Sequence, residues 1–413
     1  MSSPPRKQAK STMMGSPIGS YSQLWERKAK STMIDDWERK ALTTIYLNTF
    51  KEKFDTYHKQ NRNLDCDTKL SAIKVSATVV GIGCISLDPP FHHFSCSGTI
   101  VKSTLDDHTT STYVTTVMTT ASLFGSSSDK KKFKLEVYTC NGSIFKVKDF
   151  EYDHHYNIAI LKFASDSLFS TATLRCVDDS YTKSLRSLPH SQSFHLAPGD
   201  KVIAIGRYFK QPFDLMAAPG VFSAERCNLD CQQLLRATSK ISKCGTGGPL
   251  INMNGQVIGV NFYDEDYTPF LPVNIALKCV ENLEKFGNCI RPCFGIKATN
   301  VCVETSLAKL EKIMQKFPDH SRGVLVQQVA IESCAHRSGI RKGDLIVQCE
   351  GKVIKSLLEF DTILLDKVGK SVELYVARKA EGSLLKITAA IEETSPDKFY
   401  RWPIPKERCV RVN

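Results

Sequence analysis

A thiol and a hydroxyl lie two residues apart in the glycine-rich stretch Cys244-Gly245-Thr246-Gly247-Gly248-Pro249-Leu250. Both are side chains that can attack a carbonyl, but only when a neighbouring base takes the proton or the environment lowers the pKa. The ionisable groups nearest in type are Asp153, His154 and His155, which stand just ahead of Asn157-Ile158-Ala159-Ile160-Leu161-Lys162. Fifteen cysteines, an odd number, are scattered along the chain without framework spacing. Cys227 with Cys231 and Cys289 with Cys293 are close pairs, yet no histidine or further cysteine completes a zinc pattern. Reduced core thiols in a reducing compartment, with no metal and no cofactor, are the expectation.

The elements that must position these groups are short strands. From Ala72 to about Phe286, β-branched runs at Lys74–Gly81, Ser97–Lys102, Tyr113–Thr119, Lys134–Tyr138, Ser143–Phe150, Ile158–Phe163, Lys201–Gly206 and Val257–Phe262 are broken by turns. Asn141-Gly142, Pro198-Gly199-Asp200 and Asn254-Gly255 supply turn chemistry. Many short strands at such spacing predict an all-β sandwich or a pair of barrels, and residues 273–286 read as a closing helix. Residues 294–393 differ. Strands at Gly323–Val329, Asp344–Cys349, Ser371–Arg378 and Ser383–Ile391 alternate with helical pieces near Thr305–Lys316 and Ser356–Asp366. That mixture predicts a separate small α/β module, with Pro292 and Cys293 at the hinge.

Three segments in fixed order carry a family resemblance. Thr119-Thr120-Ala121-Ser122 stands where trypsin-like enzymes have Thr-Ala-His. Asn157–Lys162 resembles the Asp-Ile-Ala-Val-Leu-Lys strand of the HtrA (Do-like) proteases. Cys244–Leu250, followed by Ile251–Asn261, resembles their nucleophile loop and hairpin, and Pro198–Gly206 an interior strand. The C-terminal module is similar to the PDZ domain of the same proteases at Gly323-Val324-Leu325-Val326, Ala335–Gly339, Gly343-Asp344-Leu345-Ile346 and Glu350-Gly351-Lys352. The match covers about residues 75–393 and is nearest in pattern to the plant Do-like group.

The resemblance implies a mostly β chain. A basic, partly helical N-terminal extension (1–70) precedes a trypsin-like pair of six-stranded barrels (71–290), a PDZ-like domain (291–393) and a tail (394–413). By position, the nucleophile, base and orienting carboxylate fall on Thr246, Ser122 and Asn157, and none is the family residue. Ser122 has no group titrating near neutral pH. An amide in place of the orienting carboxylate costs about 10⁴ in rate by itself, and loss of triad members leaves about 10³–10⁴ over water. Cys244 takes the position whose amide helps form the oxyanion hole, where glycine's backbone freedom is favoured. Rescue by Asp153 or His155 requires one of them to reach the cleft. The PDZ resemblance places the carboxylate-binding loop at Cys293-Phe294-Gly295-Ile296, with Phe294 and Ile296 lining a pocket and Ile363 on the facing helix.

The reading this supports is a catalytically degenerate HtrA-like scaffold that binds C-terminal or extended peptides. It would assemble as a trimer with itself or with active relatives. Two alternatives stand beside it: an active endopeptidase using Thr246, and an interaction protein working through its N-terminal helix. Residues 1–63 carry 12 Lys/Arg against 6 Asp/Glu, which accounts for half of the net charge of +12. Within them Ala9–Met13 recurs as Ala29–Met33, and Leu24 to about His58 suits a helix. Basic segments attract acidic partners, but no aromatic interleaving or nucleic-acid module accompanies this one or the run Lys130–Lys132, so no nucleic-acid partner is expected. No apolar run approaches the ~18 residues needed to span a bilayer. The N-terminus lacks a secretory core, so the expected site is the cytoplasm or nucleus, with organelle import a weaker alternative.

Overall fold

The computed structural model describes residues 63–394 apart from 88–89, 107–110, 125–132, 181–192, 209–211, 226, 228–230, 302–306, 319, 321 and 379–383. The N-terminal helix and duplication, the lysine run 130–132 and the tail from 395 lie outside the described residues. All the described ones fall in one compact unit, 47–413.

A helix opens the described chain and overlaps the first two residues of the strand expected at Lys74–Gly81. Asp65 caps α1 (Cys66–Val75), its carboxylate accepting from the Thr68 amide at 2.8 Å. That cap satisfies a free amide at the helix start. The strand β1 (Val79–Leu87) starts only after a 3-10 turn at Ser76–Thr78. There follow β2 (Pro90–Leu105), β3 (Tyr113–Thr120), β4 (Phe133–Tyr138), β5 (Ile144–Lys146), β6 (Asp149–Asp153) and β7 (Ile158–Ser165). They form one antiparallel sheet in the order β5-β4-β1-β2-β3-β7-β6.

This first sheet has seven strands, not six, because the run at 143–150 divides. Its halves become the two opposite edges, β5 and β6, separated by only Val147 and Lys148. Two residues span less than ~11 Å, so the sheet must curl until its edges meet. Val147 donates to the Leu135 carbonyl of β4 at 3.0 Å and Lys148 to the Lys162 carbonyl of β7 at 2.8 Å. The roll encloses Val80, Ile82, Phe94, Ile100, Val117, Leu123, Phe124, Leu135, Val137, Leu161 and Phe163.

Short β8 (Val177–Asp178) and β9 (Phe194–His195) lead into β10 (Lys201–Arg207), β11 (Leu215–Ser223), β12 (Leu235–Ala237), β13 (Pro249–Asn252), β14 (Val257–Asn261) and β15 (Thr268–Pro272). These last six close a barrel in the order β10-β11-β12-β15-β14-β13. The helix α2 (Val273–Phe286) starts after Pro272 and ends at Gly287, whose φ of 69° and amide bond to Leu283 are the usual glycine stop. The two sheets are tied by Arg207, which is buried. Its guanidinium donates to the carbonyls of Val79 (2.6 Å), Phe213 (2.7 Å) and Ser76 (2.7 Å), so its cost of burial is met by fixed dipoles.

The C-terminal module begins with β16 (Pro292–Cys293) and β17 (Ile296–Asn300). It continues through α3 (Leu307–Lys316), β18 (Val324–Val329), α4 (Cys334–Arg337), β19 (Leu345–Cys349), β20 (Lys352–Val353), α5 (Leu357–Leu365), β21 (Ser371–Ala377), β22 (Leu384–Ala390) and β23 (Glu392–Glu393). Its sheet runs β17-β18-β19-β21-β22, with β20 paired to β19. Pro292 and Cys293, expected as a hinge, instead pair with Glu393 and Glu392 and so close the module on itself. The core holds Phe294, Ala298, Val324, Val326, Ile346, Phe360, Leu364, Val372, Leu374 and Val376. Two residues of α5 cross over: Leu358 is buried in the apolar cluster of the second barrel with Phe222, Leu234, Phe270 and Leu283, and Leu365 packs against that cluster.

Candidate functional site

Ser122 and Asn157 meet where β3 and β7 run side by side, Thr120 opposite Ile158. Ser122 lies in the 3-10 turn Ala121–Phe124 that follows β3. Its hydroxyl donates to Asn157 Oδ1 at 3.1 Å, and the Thr120 hydroxyl donates to the same oxygen at 2.9 Å. Asn157 holds φ at 54°, the left-handed region that asparagine tolerates better than most residues. Its Nδ2 is buried and has no hydrogen-bond partner. The pair is thus a neutral hydroxyl–amide contact, with no titrating group between them.

The turn that carries Thr246 is pressed against the end of the same strands. Gly247, at φ 76°, leaves no room for a side chain: a Cβ there would lie 2.6 Å from the Ser97 carbonyl oxygen, 2.6 Å from Thr119 Oγ1 and 2.9 Å from the Thr120 amide. The Ser97 amide donates to the Thr246 carbonyl at 2.9 Å. The turn thus abuts the strand end that leads into Ser122, and Thr246 Oγ1 is buried without a hydrogen-bond partner.

The amides of Gly245 to Gly248 are occupied. Residues Lys243–Gly245 form a 3-10 turn, with Gly245 N–H donating to Ser242 (3.0 Å) and Thr246 N–H to Lys243 (3.1 Å). Gly247 donates to Asn261 at 2.8 Å and Gly248 to Gly245 at 3.1 Å. An oxyanion needs inward-facing, uncommitted donors, and the Thr246 amide is not one. A 3-10 turn also accepts a side chain, so Cys244 is compatible with its backbone here. The cost anticipated for a non-glycine residue applies only to a flipped, inward-facing peptide.

Cys244 is buried, its Sγ 2.9 Å from Ser242 Oγ, and burial pushes its thiol up to about 12. At neutral pH it is a packed thiol and not a nucleophile. Iodoacetamide at pH 8 is expected to alkylate the exposed Cys66 and Cys140 within minutes and to leave Cys244 unmodified in the native protein, read by peptide mass spectrometry. Labelling of Cys244 at a comparable rate would contradict this packing.

The ionisable residues before Asn157 are engaged elsewhere. Asp153 receives Arg291 Nη1 at 2.9 Å and the Tyr156 amide at 2.7 Å. Burial raises its pKa, and Arg291 offsets part of that rise. His154 packs edge-on against Tyr152 and His155 against Tyr156. Asp153 thus anchors the segment leading into the C-terminal module. The described cysteines are all free thiols, and no described group of His, Cys, Asp and Glu has a metal-binding arrangement. No described helix is long and apolar enough to cross a membrane.

The cleft assigned to peptides lies between β17 and α5. Phe294 is buried in the module's core, edge-on to Phe360 with centroids 5.7 Å apart. Gly295, at φ 81°, approaches Ser333, whose Cβ would sit 2.2 Å from an added Cβ. Ile296 and Ile363 are half-buried against the same core. The strand β17 ends the sheet, so one of its edges faces α5. That edge is met by the protease side of the chain. Gln232 Nε2 donates to the Ile296 carbonyl at 3.4 Å, and Gln233 Nε2 to Asp361 of α5 at 3.0 Å. Asn300 Nδ2 donates to Asp179 Oδ2 at 3.3 Å, and Lys278 of α2 pairs with Asp366 at 2.9 Å. Between the two surfaces remains a cavity of about 60 Å³, lined by Asp179, Gln232, Gln233, Asn300, Leu358 and Asp361 among others.

A rolled antiparallel sheet joined to a closed six-stranded barrel, with the glycine-rich turn 244–250 at their junction, defines a trypsin-like peptidase domain, and the module behind it is a PDZ domain. The chain matches the trypsin-like peptidase domain over residues 96–260 and the PDZ domain over 307–389. It is a homologue of the Do-like (HtrA) proteases. It is 28% identical over 340 residues to putative protease Do-like 14 of Arabidopsis thaliana, covering 78% of this chain and 72% of that one. To serine protease Do-like HtrB of Bacillus subtilis (strain 168) it is 30% identical over 213 residues, 48% of this chain and 46% of the relative. Among solved structures, the HtrA-type protease AlgW with tripeptide superposes with a TM-score of 0.52 at 17% identity, over 79% of this chain and 97% of that one, and shares the fold.

Gln232, Gln233, Asp179 and Asn300 are the site residues that the sequence does not disclose. They are ordinary polar residues in connecting segments. Their pairings run across 64 to 128 residues of sequence, so no local pattern marks them.

Proposed function

We propose that this chain acts by binding and not by cleaving: a trypsin-fold scaffold whose PDZ domain takes C-terminal or extended peptides of other proteins. The observation that carries the reading is the contact of Ser122 Oγ with Asn157 Oδ1. A general base and its orienting carboxylate would have to stand there, and a hydroxyl and an amide stand there instead. Nothing at that point takes a proton from Thr246 near neutral pH.

Peptide binding rests on the PDZ domain and on the edge strand β17 facing α5, a geometry that suits strand addition. Self-assembly, or assembly with active relatives, is part of the same reading, and free thiols at the described cysteines suit a reducing compartment. Casein turnover by the whole chain is expected to equal that of Thr246→Ala and of buffer alone. Hydrolysis that disappears on Thr246→Ala would establish an active endopeptidase.

A further inference from the structure

The joint between the two domains contains a buried carboxylate with no cation beside it among the described residues. Asp179 follows β8 and is 3% exposed. Its Oδ2 accepts from Asn300, while its Oδ1 is buried without a partner. The Ser356 hydroxyl, which caps α5 by accepting from the Glu359 amide at 3.2 Å, lies beside it. Of the described residues, the charged or titratable groups facing this spot are Asp178 and His195 from the β8–β9 pair, Asp361 from α5, and Glu225, which is already paired with Arg236 at 2.6 Å. His195 Nδ1 stands 3.9 Å from Asp178 Oδ2. Asp179 forms no ion pair with a described lysine or arginine.

We propose that Asp179 gates the peptide cleft: its protonated form holds the segment 231–235 against β17 and α5, and its ionised form loosens that joint. The proposal rests on the peptide-binding reading above and adds its regulation. Two observations converge on it. The contacts of Gln232 and Gln233 place the protease segment on the cleft, and Asp179, held by Asn300 and beside Ser356 of the C-terminal module, is buried at the same joint. The N-terminus of α5 favours the ionised form, but burial outweighs it and raises the carboxyl from 3.8 to about 6.

The sign follows from the two states. When the joint parts, Asp179 meets water and returns to the ordinary carboxylate range. A group whose pKa is raised in the closed state favours closure below its open-state pKa, and that bias is lost as pH rises through about 6. Between pH 7 and pH 5 the closed-to-open ratio therefore rises about tenfold.

Hydrogen exchange of the whole chain tests this. After correction for intrinsic rates, residues 231–235 and 296–300 are expected to open about tenfold less often at pH 5 than at pH 7. Asp179→Asn, a neutral isostere, should keep them closed equally at both pH values. Unchanged opening across that range would overturn the proposal. So would a pH dependence that persists in Asp179→Asn, which would assign the titration to His195 or another group. A second arm separates the gate from the binding reading. Gln232→Ala/Gln233→Ala/Lys278→Ala removes three of the cross-domain contacts, and its affinity for a fluorescein-labelled heptapeptide ending in a free valine carboxylate should exceed the parent's. No binding to that opened variant would overturn the peptide reading, while the exchange result alone decides the gate.

Discussion

Combining Ser122→His, Asn157→Asp and Thr246→Ser leaves peptide hydrolysis about 10²–10³ below that of the same triple variant with Cys244→Gly added. The factor is the cost of losing one oxyanion donor from an otherwise complete site. In the native turn the Thr246 amide donates to Lys243, so a restored nucleophile would form a tetrahedral intermediate whose oxygen lacks that donor. Turning that donor inward requires the peptide next to residue 244 to flip, and glycine reaches the flipped backbone at the least cost. Cys244→Gly alone, with no triad behind it, should produce no turnover. The dependence is therefore non-additive, as expected for groups that act as a unit. Progress curves on a fluorogenic peptide give the comparison. Equal rates for the triple and quadruple variants would show that the turn opens by itself when substrate arrives.

Phe294→Ala is expected to destabilise the PDZ domain by about 3–5 kcal/mol, the usual cost of emptying a buried aromatic site. Phe294 is 5% exposed and stacks edge-on with Phe360, which is fully buried. A residue that lined only a ligand pocket would instead lower peptide affinity and leave the unfolding midpoint in place. Urea unfolding followed by tryptophan-independent far-ultraviolet circular dichroism distinguishes the two, with Ile363→Ala as a milder comparison because Ile363 is half-buried. A shift below ~1 kcal/mol for Phe294→Ala would return that ring to the binding surface.

Much of the fold is legible in the sequence because its signals are local. Gly247, Gly248 and Pro249 mark the nucleophile turn, since the close approach to Ser97 and Thr119 admits no side chain. The helix 273–286 is bounded by Pro272 and Gly287, and both act within one turn of the chain. Less is legible where one local signal competes with another. The helix capped at Asp65 runs into the first two residues of the run from Lys74, so the strand starts only at Val79, and the run at 143–150 is cut in two because the barrel's curl needs its edges there. Of the site, the resemblance marks Ser122, Asn157 and Thr246, and the structure brings the first two into hydrogen-bond contact. What covers the peptide cleft is not, because Gln232 and Gln233 are defined only by what folds against them.

Leu358 gives the molecule a property that its two-domain appearance conceals. The residue belongs by sequence to the PDZ helix α5 and by packing to the apolar interior of the second barrel. A PDZ domain transplanted from a relative would have to bring an aliphatic side chain of similar size to the same helical position, or leave a hole beside Phe222 and Leu234. With Leu365 of the same helix packed against that interior as well, the two domains are interchangeable parts only in pairs.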